Sequence, residues 1–344
     1  MGLTAVGYQA ASSSSTASSI TAIGYKALYN NTGDENTAIG DSALYSNTTA
    51  TYNVAIGYRA LAANTTMIGN VAIGTGALTT QSYNNPNGLG TLNTAIGIDA
   101  LYYNQPTSAN NGIYNTAIGG GALAHNTTGY QNTACGVEAL SNLFAGSVTG
   151  MSNTATGFFA STLITSASSN TADGANALFI NNGDYNTAIG DSALASNTTG
   201  KYNTALGYQA DIAGTGSLTN ATAIGYNAKV ATSNSVMLGN SNITYATIGA
   251  GAFAVPVQES PATSGTVTSI GAQILNLTGS ASALTIVPPT TPTPVEGQLW
   301  EVTTNQASIS ITWSGSFVAP PSTVTNTAPA RFFYVASLAS WESQ

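Results

Sequence analysis

A fourteen-fold internal repeat constrains this chain more than any other feature. The unit reads Asn-Thr-Ala-Ile-Gly, two variable residues, Ala-Leu, then an Asn/Thr/Gly turn. Asn36-Thr37-Ala38-Ile39-Gly40 leads to Ala43-Leu44 and Asn47-Thr48-Thr49, and Asn186 to Thr199 repeats it almost letter for letter. With the residue before the fixed glycine as anchor, the copies fall at Val6, Ile23, Ile39, Ile56, Ile73, Ile96 and Ile118, then at Cys135, Thr156, Asp173, Ile189, Leu206, Ile224 and Leu238. Steps are mostly 16 to 18 residues and lengthen to 21 to 23 after Ile73, Ile96 and Cys135. The extra residues, 83–90, 105–112 and 144–150, are rich in Asn, Gly, Pro or Ser. A period of this size is the signature of a solenoid, with insertions placed in loops on one side of the stack.

The columns define the unit. The glycine stands in all fourteen copies, Gly7 to Gly239, and the alanine three places on in thirteen. Asn, Thr and Gly are weak helix formers, whereas a short strand ending in a sharp turn uses them at fixed places. Along Thr-Ala-Ile-Gly the side chains alternate, Thr and Ile on one face, Ala and Gly on the other. The expected packing puts Ile, with the Leu of Ala-Leu, into a narrow interior, and leaves the small face for close approach of a second backbone. Asn is expected in turns, where it tolerates left-handed backbone and bonds its own main chain. Coils spaced by about 4.8 Å would make a rod on the order of 60 Å long. Cys135, Thr156 and Asp173 occupy Ile places, so Cys135 is expected to be buried as a small apolar group, and Asp173 would be costly there without a partner. The last copy, residues 236–240, lacks Ala-Leu, as expected of a terminal, capping repeat.

Composition narrows the function classes. Only 5% of residues are charged while 43% are apolar, a balance that argues for a folded chain held by backbone hydrogen bonds and small-residue packing. The net charge of −8 disfavours nucleic acid and anionic membrane surfaces. No run approaches the roughly 18 apolar residues of a membrane span, so no membrane insertion is expected. Met1 to Gly7 has neither a basic nor an apolar leader region, which suggests a protein made in a cytoplasm and exported by no standard signal. The one cysteine permits no intrachain disulfide.

After residues 241–244 the period fails. The expected organisation is a shaft over 1–240, a linker over 241–263, and a small antiparallel β tip over 264–344. Strands are predicted at 283–287, 297–302, 308–313 and 331–335, separated by Pro-rich or polar turns.

Thr-Ala-Ile-Gly-Tyr-x-Ala-Leu with Asn-Thr-Thr-Gly turns resembles the head repeats of trimeric autotransporter adhesins and similar repeats of phage tail fibres, over roughly Ala5 to Asn240. The resemblance implies a left-handed parallel β-roll or β-solenoid of about fourteen coils, three chains side by side, and adhesion. The longer unit favours the phage-fibre version. Residues 294–300, 311–315, 331–335 and 340–342 are similar to small C-terminal modules of phage fibres. The implied partners are two further copies of the chain, virion tail or baseplate proteins, and a glycan or protein receptor on a host surface. A bacterial surface adhesin or extracellular filament subunit is the alternative, and the ranked Thr37, Thr94, Thr116, Thr133, Thr154, Thr187 and Thr204 raise an ice-binding solenoid as a rival.

Neither enzyme chemistry nor a cofactor is expected. His125, the one histidine, sits in a turn; Cys135 has no predicted base beside it. The carboxylate pairs Asp41 with Glu35 and Asp191 with Asp184 recur in near-identical copies, as turn chemistry does. Gly33-Asp34-Glu35 and Gly183-Asp184 lack the dense carboxylates of a calcium site. The sequons at Asn47, Asn64, Asn126 and Asn197 read as turns. Tyr8, Tyr25, Tyr58, Tyr208 and Tyr226 share one column and are expected to stack. Receptor contact is expected at Tyr83, Asn84, Asn85 and Asn87, at Gln105, Asn110 and Asn111, at Phe144, or at the tip aromatics Trp313, Phe317 and Trp341, because inserted loops and exposed aromatics are where binding concentrates.

Overall fold

The computed structural model describes residues 2–82, 90–142, 148–214 and 216–242, together with ten strands between Val257 and Ser343 by their backbone pairing. Two units divide the chain, Met1–Ala246 and Thr247–Gln344.

In the first unit each repeat contributes one short strand. These are β1 (Leu3–Val6), β2 (Ile20–Ile23), β3 (Thr37–Ile39), β4 (Val54–Ile56), β5 (Val71–Ile73), β6 (Thr94–Ile96), β7 (Thr116–Ile118) and β8 (Thr133–Cys135). They continue with β9 (Thr154–Thr156), β10 (Thr171–Asp173), β11 (Thr187–Ile189), β12 (Thr204–Leu206), β13 (Asp211–Ile212), β14 (Ala221–Ile224), β15 (Lys229–Val230) and β16 (Ser235–Leu238). Fourteen of them form one parallel sheet in sequence order, β13 and β15 pairing apart on the return side. Fourteen strands enclose thirteen complete turns. Register is like over like: Ala38 pairs with Ala22 below and Ala55 above. The return segment of each coil hydrogen-bonds to the next coil as well, as in Leu44 N–H to Ala60 O at 3.0 Å and Ser46 N–H to Ala62 O at 3.0 Å.

Which face is inside differs from the expectation. The strand alanines, from Ala22 through Ala117 to Ala223, are fully buried, while the Thr and Ile of the same strands are half-buried or exposed. The interior of most coils is filled by two alanines and one leucine, such as Ala38, Ala43 and Leu44, all at 0% exposure. Two facing segments joined by tight turns leave no room for a further branched side chain from the strand, so the small column goes in and Ile goes out. The departures from Ile follow: Cys135 is exposed rather than buried, and Thr156 and Asp173 are exposed, so Asp173 pays no burial cost.

Asparagine is likewise interior rather than confined to solvated turns. The Asn preceding each strand from β3 to β12 is buried, and its Oδ1 accepts the backbone N–H of the residue at the equivalent place one coil on. The ladder runs through Asn53 N–H to Asn36 Oδ1 at 3.0 Å, Asn115 N–H to Asn93 at 2.8 Å and Asn132 N–H to Asn115 at 3.0 Å, ending with Ala221 N–H on Asn203. Nδ2 groups of the column donate to turn carbonyls, Asn36 to Ala50 O at 2.8 Å and Asn53 to Met67 O at 3.0 Å, while Asn70 donates to Asn53 Oδ1. A second buried column stands three places after Leu: Asn47 Nδ2 donates to Asn31 Oδ1 at 2.6 Å, Asn64 to Asn47 at 3.1 Å and Asn126 to Asn104 at 2.8 Å. Both columns satisfy main-chain groups that would otherwise be buried without partners.

The corner glycine has a steric cause. Gly57 has φ +136°, outside the range of L side chains, and a Cβ there would lie 2.5 Å from Gly74 O of the next coil. Past the corner the chain turns through left-handed residues, Arg59 at φ +56° and Leu61 at +51°. Their strain, about 1 kcal/mol or more each, is offset by coil-to-coil bonds such as Leu61 N–H to Ala77 O at 3.0 Å.

The second unit comprises β17 (Val257–Pro261), β18 (Gly265–Thr268), β19 (Ile274–Thr278), β20 (Ala283–Val287), β21 (Leu299–Thr304), β22 (Ile309–Trp313), β23 (Phe317–Val318), β24 (Thr323–Val324), β25 (Ala330–Val335) and β26 (Ser340–Ser343). They form a six-stranded and a four-stranded sheet. The pairs β21 with β25, β25 with β26 and β22 with β24 are antiparallel, while β17, β19 and β21, and β18, β20 and β22, run parallel. Strand β17 lies in the segment expected as linker. Among the described residues no helix is long and apolar enough to cross a membrane.

Candidate functional site

The main feature of the solenoid surface follows from the inverted strand. Alternation that sends Ala inward sends Thr and Ile outward in every coil, so columns of apolar side chains run along the sheet. Val6 is 58% exposed, Ile118 and Ile189 are each 41%, and Leu238 is 54%. Thirteen coil steps of about 4.8 Å give a stripe on the order of 60 Å long, broken in the middle by Cys135, Thr156 and Asp173. Apolar surface repeated in this way on either side of the break is the kind of surface that interaction faces use.

The tyrosine column borders the stripe just past the glycine corner. Tyr8 and Tyr25 stack with ring centroids 5.4 Å apart and 11° between planes, and Tyr208 and Tyr226 at 5.8 Å and 7°. These are the stacked pairs the sequence leads one to expect. Tyr29 with Tyr45 and Tyr185 with Tyr202 stack in the same way at other places in the coil.

Of the predicted receptor contacts, Tyr83, Asn84, Asn85, Asn87 and Phe144 lie outside the described residues. Gln105 and Asn110 are exposed. Asn111 works within its own loop: its Oδ1 accepts from Thr107 and Ser108 N–H at 2.9 and 3.1 Å, and its Nδ2 donates to Thr107 Oγ1. In the second unit Trp313 ends β22, and Phe317 and Trp341 are register partners on β23 and β26.

Several polar groups that could carry chemistry have structural tasks. Asp34 accepts Ser18 N–H at 2.6 Å and Ser18 Oγ–H at 3.0 Å, tying two coils. Asp41 and Asp191 each accept from the following serine at 2.6 Å. Among the described residues there is no group of three or more His, Cys, Asp or Glu placed to hold a metal ion. The four sequon asparagines are buried, and Nδ2 of Asn47, Asn126 and Asn197 is engaged with its neighbouring coil and turn. Their amides are closed to modification in the folded chain. His125, expected as a solvated turn residue, packs against Tyr103 at 5.2 Å and donates from Nδ1 to Ser141 O at 3.0 Å.

Asp184 and Lys201 join adjacent coils at 2.7 Å, with side-chain exposures of 27% and 49%. Burial acts to raise the Asp184 pKa, but the hydrogen bond from Lys201 and the Ser168 N–H outweigh it and hold the carboxyl below its ordinary value. The bond to Asp184 raises Lys201 correspondingly. A depressed carboxylate stabilises the fold above its unfolded pKa and loses that contribution as pH falls through the folded value. Asp184→Asn should therefore cost less than about 1 kcal/mol at neutral pH. Thermal melts of both proteins from pH 7 to pH 3 should bring the two melting temperatures together in acid.

The fold defines the chain as an all-β protein built as a parallel β-solenoid of thirteen turns. Comparison with protein-family models gives no match, and neither does comparison with curated proteins.

Proposed function

We propose that this chain is the structural subunit of a homotrimeric fibre that adheres to a surface, of the kind carried on phage tails, with a left-handed β-roll shaft and a C-terminal tip. The observation that carries the reading is the outward apolar stripe. Its side chains repeat with the coil spacing on either side of the break at Cys135, Thr156 and Asp173, and a partner that covers it must repeat with the same spacing. A second copy of the chain has that period by construction, and with 5% charged residues it brings little like-charge repulsion. Partners at the attached end would be other virion tail or baseplate proteins, and at the exposed surface a host glycan or protein receptor. The role is one of binding rather than catalysis and needs no cofactor.

Light scattering coupled to size exclusion tests the assembly. The expected mass is three times 34.5 kDa, and Ile23→Lys with Ile189→Lys should yield a folded monomer, since both side chains are already exposed in the single chain. A wild-type monomer would overturn the trimer and move an ice-binding face, read by thermal hysteresis, to the front. Labelling of bacterial cells by the fluorescent wild-type protein, lost in the monomeric variant, is the expected sign of adhesion.

A further inference from the structure

One coil breaks the surface pattern. Gly119 is the corner glycine of the seventh coil, and the next two places, of which the first carries Tyr in five other coils and the second a polar or charged residue in most, are Gly120 and Gly121. The second place is also glycine at Gly76, but only this coil lacks both side chains, which leaves a notch one coil high. Ile98 and Asp99 stand on one side of it, Val137 and Glu138 on the other, in the corresponding places of the neighbouring coils. The resulting cavity measures about 580 Å³, within the usual size of small-ligand sites.

The walls combine flat apolar faces with acceptors. Tyr102 and Tyr103 meet edge to face at 4.6 Å, and Tyr103 and His125 stack at 25°, so three rings are fixed by one another. Tyr103 is 43% exposed. Glu138 is folded over Gly121, whose absent Cβ would lie 2.5 Å from Oε1, and its Oε2 has no hydrogen-bond partner among the described residues. Because the Ser141 carbonyl can only accept, His125 donates from Nδ1 in that bond, which fixes the ring's place in the wall. The acceptors of the walls are the carboxylates of Asp99 and Glu138, with no lysine or arginine lining the notch.

We infer that the notch at Gly120 and Gly121 is a carbohydrate-binding site for an uncharged or amino-substituted pyranose, its ring face on the aromatic wall and its hydroxyl or ammonium donors on Asp99 and Glu138. Carboxylates accept such donors strongly, and their charge excludes sialylated or uronate sugars. The site lies past the glycine corner from the Thr and Ile columns. As a receptor site it rests on the adhesive reading above.

Gly120→Tyr is the decisive variant. A Cβ at Gly120 meets nothing within 4 Å, and Tyr occupies this place in five other coils, so the variant refills the notch without disturbing the ladder. Wild type and variant are titrated by isothermal calorimetry and saturation-transfer NMR with malto-, cello-, chito- and deacetylated chito-oligosaccharides, and with sialyllactose as the acidic control. The expected result is binding of at least one neutral or amino series, weakened by about tenfold or more in Gly120→Tyr, with a smaller loss in Glu138→Gln and unchanged mass and circular dichroism. No binding by wild type, equal binding by Gly120→Tyr, or preference for sialyllactose would overturn the site. Cell labelling by the same proteins separates the two readings. Labelling that persists while sugar binding ignores Gly120→Tyr removes the notch and leaves the fibre. Notch-dependent sugar binding by a protein that labels no cells removes the adhesive reading and leaves the site.

Discussion

Gly57→Ala should destabilise the solenoid by at least about 3 kcal/mol, while Gly120→Ala should change stability by less than about 0.5 kcal/mol. Both substitutions add one methyl group, and the difference lies in where it goes. At Gly57 the backbone has φ +136°, and the new Cβ would press on the carbonyl of Gly74, 2.5 Å from its oxygen and 2.6 Å from its carbon. Backbone cannot rotate away as a side chain can. Relief requires moving Gly74, but Gly74 N–H donates to Ile56 O at 2.7 Å, and its own missing Cβ faces Gly97 in the same manner. The displacement therefore passes up the column. Denaturant unfolding at a fixed protein concentration, since assembly contributes to apparent stability, measures the effect. A cost at Gly57 no larger than at Gly120 would mean the corner column is not a steric requirement. Because each coil touches only its neighbours, the damage should be local before it is global, and hydrogen exchange should quicken first in the coils around Gly57.

The same column explains what could be read from the sequence. Period, strand position and corner were legible because each is enforced in every coil by a residue type that nothing else replaces. Glycine at the corner tolerates no Cβ, and left-handed places follow it at fixed spacing. Which face is interior was legible too, though through variation rather than hydrophobicity. Ala38 and its equivalents remain alanine, whereas the Ile39 column accepts Cys135, Thr156 and Asp173. A place that accepts aspartate faces solvent, and a place restricted to one small residue faces a packed interior. Hydrophobicity favoured the larger side chain for the core because it says nothing of the width between the two facing segments. Asparagine misled for a related reason. Its turn preference is a local property, while its use here, bridging one coil's backbone to the next, depends on a neighbour 16 to 23 residues away. The notch was visible as Gly119-Gly120-Gly121, but three glycines signify a deletion only once the flanking columns are known to point outward. His125 and Tyr103 belong to different coils and become neighbours only through the stacking.

Asn115→Leu should cost about 2 kcal/mol, and Asn115→Asp should be more stable in acid than at neutral pH. Asn115 Oδ1 accepts Asn132 N–H at 3.0 Å and its Nδ2 donates to Gly129 O at 3.0 Å, both within the buried ladder. Leucine fills nearly the same space and leaves the Asn132 N–H without its acceptor, at about 1 to 3 kcal/mol, while Gly129 O keeps the donor Asn126 Nδ2 at 3.0 Å. Aspartate keeps the acceptor for Asn132 but points a carboxylate oxygen at the Gly129 carbonyl. Burial and that repulsion raise its pKa in the folded state above the unfolded value. The protonated form can donate to Gly129 O, so stability is greatest below the unfolded pKa and declines as pH rises through the folded one. Denaturation midpoints at pH 4 and pH 8 measure it: wild type should change little, Asn115→Leu should be low at both, and Asn115→Asp should approach wild type at pH 4. Equal losses for Asn115→Asp at both pH values would mean that the ladder's amide is not donating where the geometry puts it. A pH-dependent recovery would tie the solenoid's stability to the polar column in its interior, which a chain with so few ion pairs and so small a hydrophobic cross-section needs to join one coil to the next.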